Sequence, residues 1–238
     1  MSDILPGSDW SAGSDLTASL IESTKPVQVI GGHQCTWVPL TTGYCDHLEE
    51  TVPPPSMLSS SYVSTAPLSQ LGGKSRRVRI MAIEDGTGLT FNPTQAGPAT
   101  LDAGQFFETS SSVDHFQIVG TRPLMVVEFM TGGGGPPNVG DPAMAILEGV
   151  DRFRTSHTFV APTNYTQNYV NIVAPAGATV SLDGTELPSA DFTAIGTSGY
   201  SVARKLLSNS GSGQHTIEAS APVGMTVYGY GDQTSYWY

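Results

Sequence analysis

Charge is what this 238-residue chain has least of. Only 13% of its residues are Asp, Glu, Lys or Arg, about half the usual ~25%. The basic side is the scarcer, with 10 Lys and Arg against 21 acids and a formal net charge of −11. The densest group of cations is the short stretch of Arg76, Arg77 and Arg79 with Lys74 beside them, in a chain of net charge −11, so a phosphate backbone finds little attraction and nucleic acid is excluded as a partner class. No apolar run approaches the ~18 residues that a membrane-spanning helix needs. The opening MSDILPGSDW lacks both the basic and the apolar regions of a signal peptide. Cysteine is limited to Cys35 and Cys45. Abundance lies instead in 27 glycines and 17 prolines, which interrupt helices and punctuate short strands. The composition therefore excludes a helical bundle and leaves an all-β protein whose grouped apolar residues can be buried together.

Self-similarity organises the rest. Three proline-led segments, KPVQV from Lys25, RPLMVV from Arg122 and APVGMTV from Ala221, place their prolines 97 and 99 residues apart. VRIMA at 78–82 matches VNIVA at 170–174, Ala66-Pro67 matches Ala161-Pro162, and Leu48-Glu49 matches Leu147-Glu148. Matches in a constant order imply a repeat of about 95–99 residues, each unit with the strand count of a β-sandwich. The expected architecture is tandem β-sandwich-like units. Residues 1–34 hold the closing strands of a truncated or strand-donating unit. A first unit covers 35–130 with the Cys35–Cys45 loop, and a second covers 131–238. A chain that enters a repeat midway reads either as a segment of a longer protein or as an arm completing the first unit.

Alternation within the units predicts strands. Residues 78–82 should form a hairpin with 89–91 around Asp85-Gly86, and 169–173 with 178–182 around Pro175-Ala176-Gly177. Further strands are expected at 105–109, 116–119, 124–130, 199–206, 215–218 and 223–230. The window 142–150 reads as strand, and TGGGGPPNVG at 131–140 as a loop too irregular to cradle phosphate.

The chemistry-bearing residues are few. His33, His47, His115, His157 and His215 are scattered, with no nucleophile turn beside them, so no catalytic residue and no cofactor are assigned. Cys35 and Cys45 read as a disulfide, as a metal site with His33, Asp46 and His47, or as free thiols. The spacing matches no standard zinc pattern, and no metal is assigned. Asp46, Glu49, Glu50, Glu84 and Asp85 lack the spacing of a calcium loop and read as solvated turns. Asn164-Tyr165-Thr166 is a glycosylation sequon. Tyr228, Tyr230, Tyr236 and Trp237 crowd the C-terminus beside Tyr238 and could present one aromatic face to a sugar or a protein. The alternative is that Tyr228 and Tyr230 serve the unit's own packing.

KPVQVIGGHQC, GYCDHLEETVPP, the long run from Gly140 to Gly184 containing APTNYTQNYVNIVAP, and APVGMTVYGYGDQTSYWY together resemble the N-terminal domain of IgG Fc-binding protein and its bacterial relatives, from about residue 15 to 238. The resemblance implies a non-catalytic β domain of an extracellular or cell-surface protein, often one part of a longer chain with neighbouring domains. It includes the cysteines of CTWVPLTTGYC and so favours the disulfide over the metal. Low charge and scarce lysine suit a bacterial surface protein. The expected function is adhesion or structure, with a protein or glycan ligand. The alternative is a carbohydrate-binding module built on the C-terminal aromatics.

Overall fold

The computed structural model describes residues 5–6, 16–133 and 140–238. The protein is all-β: among the described residues the helical elements are three short 3-10 turns, Pro55–Met57, Val150–Arg152 and Ser189–Asp191.

Two long, bent strands carry the architecture. Phe116–Met130 pairs through its first half with Ser59–Ser64 and Thr87–Asn92, and through its second half with Arg76–Ala82 and Ala143–Ile146. The halves meet at Gly120–Pro123, where the ladder to Ser59–Ser64 shifts register. Proline has no amide hydrogen to donate and interrupts the ladder there. Gly120 permits the tight turn of chain, since a Cβ on it would sit 2.6 Å from the Arg122 carbonyl oxygen. A strand bent in this way passes from one layer of a sandwich to the other.

Gln214–Gly231 repeats the plan. Its first half pairs with Arg154–Val160 and Val180–Leu182, and its second with Gln167–Pro175 and Thr234–Trp237, with Pro222 at the bend. The expected strand pairs 116–119 with 124–130, and 215–218 with 223–230, are thus single strands folded at a proline.

The two expected hairpins do not form. Gly86, at φ +63°, makes the predicted turn, but Arg76–Ala82 and Thr87–Asn92 each pair with Phe116–Met130 on opposite sides of its bend. Gln167–Pro175 and Val180–Leu182 straddle Gln214–Gly231 in the same manner. Each turn therefore arches between layers, because alternation specifies a buried face but not which neighbour supplies the hydrogen bonds.

That face is well specified. Val78, Ile80 and Ala82 meet Ile118, Leu124 and Val126 in the first core. The matching Val170, Ile172 and Ala174 meet Ile217, Val223 and Val227 in the second. Ala143–Ile146, which follows the expected unit boundary at 131, joins the first sheet. The loop expected at 131–140 lies partly outside the described residues. The strand expected around Lys25-Pro26-Val27 is irregular and mostly exposed, with the Val29 carbonyl accepting from the Val52 amide at 2.9 Å. Beside it a hairpin of Ile30–Trp37 and Asp46–Thr51 crosses the expected boundary at 34 and covers the outer face of the first sheet.

A buried ion pair anchors the first unit. Arg76 and Glu128, both at 0% exposure, meet at 3.2 Å, and the Ser64 hydroxyl lies 2.5 Å from each. The guanidinium also donates to the Ser112 carbonyl and stacks over Phe116. Glu128→Ala strands a buried cation and is expected to cost about 3–5 kcal/mol in urea unfolding. A Glu128→Leu, Arg76→Met double variant should recover most of that loss.

His115 adds a pH dependence. Its Nδ1 accepts the Ala66 amide hydrogen at 3.0 Å. Burial, reinforced by Arg204 and Arg76, lowers its pKa from 6.5 to about 4. Between those values the unfolded chain binds the extra proton, so acid erodes stability from pH 6.5 downward and the effect levels off below pH 4. Urea midpoints at pH 7.5 and 4.5 should differ less in His115→Gln than in the parent.

Candidate functional site

The C-terminal aromatics lie in a seam between the two units. Tyr228, Tyr230 and Trp237 are 0%, 2% and 4% exposed and pack with Tyr169 against Met130, Ala143 and Ala145 of the first sheet. Tyr228 donates to Asn171 Oδ1 at 2.7 Å and accepts the Leu68 amide at 2.8 Å. Asn171 Nδ2 donates to Thr65 Oγ1 at 3.0 Å and to the Ala66 carbonyl at 3.2 Å. Tyr228 and Tyr230 do share a face, as alternation predicts, but that face is covered by the other unit. Burial pushes both phenols well above the ordinary tyrosine range. Trp237 packs edge-on against Tyr228 rather than outward. Tyr236 is half-buried, donates to Asn168 at 2.6 Å and stacks on Tyr238. A sugar ring stacks on an exposed aromatic face, and three of the four candidate contact residues offer none.

Nor do the histidines assemble a reactive centre. His47 pairs with Glu49 at 3.1 Å on the surface. His215 meets Asp183 at 2.7 Å and stacks on Phe159. His157 bonds the Val223 carbonyl at 2.9 Å, and His33 Nδ1 lies 3.0 Å from the Cys35 carbonyl. Asp85 accepts the Ala103 amide and Asp102 accepts the Gly86 amide, so the two turns are tied to each other, and Glu84 pairs with Arg122. Cys35 and Cys45 form a disulfide with their Cα atoms 5.1 Å apart, which removes both thiols from any metal site. Asn164 is exposed on a turn.

The disulfide clamps the Ile30–Trp37 and Asp46–Thr51 hairpin, and beneath that hairpin lies the feature with the geometry of a binding site. A groove of about 460 Å³, within the range of ligand pockets, runs between the hairpin and the first sheet. Its floor is Met81, Met125, Val127, Phe129, Met144 and Ile146. Gly31, His33, Leu48 and Glu50 form the facing wall, and Leu16, Ile21 and Ile30 line the mouth. These last three are 71%, 59% and 58% exposed.

Arg79 closes one end. It is fixed by Glu108 at 2.9 Å, stacked on Phe106 and Phe129, and donates to Thr17 Oγ1 at 2.6 Å. Burial raises the Glu50 carboxyl above its ordinary range. None of the floor residues was singled out from sequence. The available signal was Leu124–Met130, where apolar residues occupy both alternating sets and so require a cover on each face.

Tyr228→Phe leaves the Leu68 amide and Asn171 Oδ1 short of a partner inside the seam. The expected loss is about 1–3 kcal/mol in denaturant unfolding, whereas an exposed tyrosine contributing only to a ligand surface would leave stability unchanged.

No curated protein and no solved structure shows significant similarity to the chain. The family described as IgGFc binding protein matches residues 8–229, spanning both bent-strand units, the disulfide hairpin and the groove. The chain belongs to the IgGFc binding protein family.

Proposed function

We propose that the chain is a non-catalytic, extracellular protein-binding module that acts within a longer secreted or cell-surface protein. The family match over residues 8–229 carries this reading. Three features support it. The disulfide suits an oxidising compartment. His47, His115, His157 and His215 bond to carboxylates or backbone rather than to a hydroxyl that could serve as a nucleophile. The apolar groove opens beside exposed Leu16, Ile21 and Ile30, a patch of the kind that marks interaction surfaces.

Two copies of one plan, meeting at the aromatic seam, give the module its organisation. The common pairing order around Phe116–Met130 and Gln214–Gly231 supports the division into units at about 35–130 and 131–238, with Ala143–Ile146 lent to the first sheet. Of the expected arm at 1–34, residues 30–34 begin the first strand of the covering hairpin.

Biolayer interferometry on the immobilised chain, with IgG Fc as the first probe and a panel of extracellular proteins beside it, tests the function. Saturable binding at micromolar affinity or tighter is expected for at least one protein. Failure to bind any of them, or sustained turnover of a hydrolysable substrate that is abolished by substituting one histidine, contradicts the reading.

A further inference from the structure

One strand of the second unit keeps an exposed edge. Arg154–Val160 pairs on one side with the first half of Gln214–Gly231. Both the amide and the carbonyl of Thr216 engage Asp183 on the far side, so Thr158, opposite Thr216, turns its own amide and carbonyl outward. Antiparallel pairs alternate in this respect, which sends the backbone groups of Ser156 and Val160 outward as well. The Val160 carbonyl accepts from the Tyr238 hydroxyl at 2.6 Å. Among the described residues no hydrogen bond reaches the outward groups of Ser156 or Thr158, and both residues are exposed.

The counterpart strand of the first unit, Ser59–Ser64, is protected at the same places. Ser59 and Arg154 hold matching positions ahead of Ala66-Pro67 and Ala161-Pro162. The Ser59 hydroxyl accepts the Ser61 amide hydrogen at 3.2 Å and donates to the Ser61 carbonyl at 3.3 Å. Val63 packs with Val173, Ile195 and Val202 of the second unit, and the Thr65 carbonyl accepts from Asn171. In the second unit Arg154 stands where Ser59 does and has no hydroxyl to close over Ser156. Thr158 stands where Val63 does and is exposed.

Proteins blunt open edges with short strands, lysine, proline or a bulge. The outer strands Thr100–Leu101, Phe106–Glu108, Thr185–Glu186 and Phe192–Ala194 are only two or three residues long. Arg154–Val160 has seven residues with no lysine, proline or acid, and its register shift lies between Arg154 and Ser156, ahead of the open stretch. The strand is also self-complementary. Antiparallel pairing of two copies about His157 sets Ser156 of each against Thr158 of the other, joined by reciprocal main-chain hydrogen bonds with a Ser–Thr side-chain pair above them. Arg154 then falls opposite Val160 of the second copy, 54% exposed, and beside its Tyr238 ring, 46% exposed, where a guanidinium is attracted to an aromatic face. The two Arg154 cations lie at opposite ends, so no like charges meet.

We propose that Arg154–Val160 is a self-association edge, to which a second copy of the chain adds the same strand antiparallel about a two-fold axis. One sheet of the second unit thereby continues into its mate, and the contact closes at a dimer because both copies use the same surface. The contact is one strand pair with Val160 and Tyr238 at its ends, so affinity should sit at the weak end of specific interfaces.

Sedimentation velocity of the intact chain, over a concentration series from about 1 μM to about 1 mM, tests this. A monomer–dimer equilibrium without larger species is expected, with amide hydrogen exchange at Ser156 and Thr158 slowing as dimer accumulates. Thr158→Pro removes an outward amide at an edge position of the kind that tolerates proline. It should weaken dimerisation by about tenfold or more, since the symmetry removes the bond twice. Arg154→Ser supplies the hydroxyl that Ser59 provides in the first unit and should weaken dimerisation as well, with the circular dichroism spectrum unchanged.

A chain that stays monomeric throughout the series overturns the proposal. So does a dimer that Arg154→Ser and Thr158→Pro both leave intact, or association that runs on past the dimer. A monomer that enriches peptides from a random dodecapeptide display library, where Thr158→Pro enriches none, gives the edge to another protein and overturns the second copy as its occupant.

Discussion

The Asn171 carboxamide is the point through which the two halves of the molecule are joined. It sits at 0% exposure, donating to Thr65 and Ala66 of the first unit and accepting from Tyr228 of its own. Tyr228 in turn accepts the Leu68 amide, so the hydrogen bonds form a closed network across the seam. Tyr169, Tyr230 and Trp237 surround it with apolar area, and Val63 meets Val173, Ile195 and Val202 at its other end. Such a network is stable only when every member is satisfied, which fixes the orientation of the units more tightly than apolar contact alone. A further link outside the seam, in which the Thr197 amide donates to Asn92 Oδ1 at 3.0 Å, holds the same orientation from the surface.

Orientation matters because the groove is built on the first sheet but depends on what covers it. Gln167–Pro175 is buried almost throughout because it faces its own core on one side and the seam on the other. Phe116–Met130 is buried toward its C-terminal end for a similar reason, with Leu124 and Val126 facing the first core and Val127 and Phe129 the hairpin. The disulfide holds the cover in shape, and the Arg79–Glu108 pair ties the first sheet to the N-terminal arm through Thr17. The sheet below and the clamped hairpin above define a shaped apolar space.

Much of the fold is legible in the residues. The alternation in VRIMA and VNIVA identifies the two core-facing strands, and their common order ahead of Pro123 and Pro222 anticipates that both units follow one plan. What alternation does not encode is the identity of the hydrogen-bonding neighbour. Asp85-Gly86 signals a turn equally well whether the chain folds back as a hairpin or arches to another layer. Pro123 and Pro222 were legible as interruptions, yet a bend within a strand and a break between strands leave the same trace. The site was harder still. Tyr228 and Tyr230 are the most conspicuous aromatics in the sequence, and their shared face is spent on the seam. The groove floor is made of methionines and aliphatics that read as ordinary core until the hairpin is seen to cover them only in part.

The central claim is that the seam makes the two units one cooperative body on which the groove is held. Differential scanning calorimetry measures this directly by comparing the calorimetric with the van't Hoff enthalpy. A single transition with a ratio near 1 is the predicted result. Two resolved transitions, or a ratio near 2, would mean that the units unfold independently and would contradict the account.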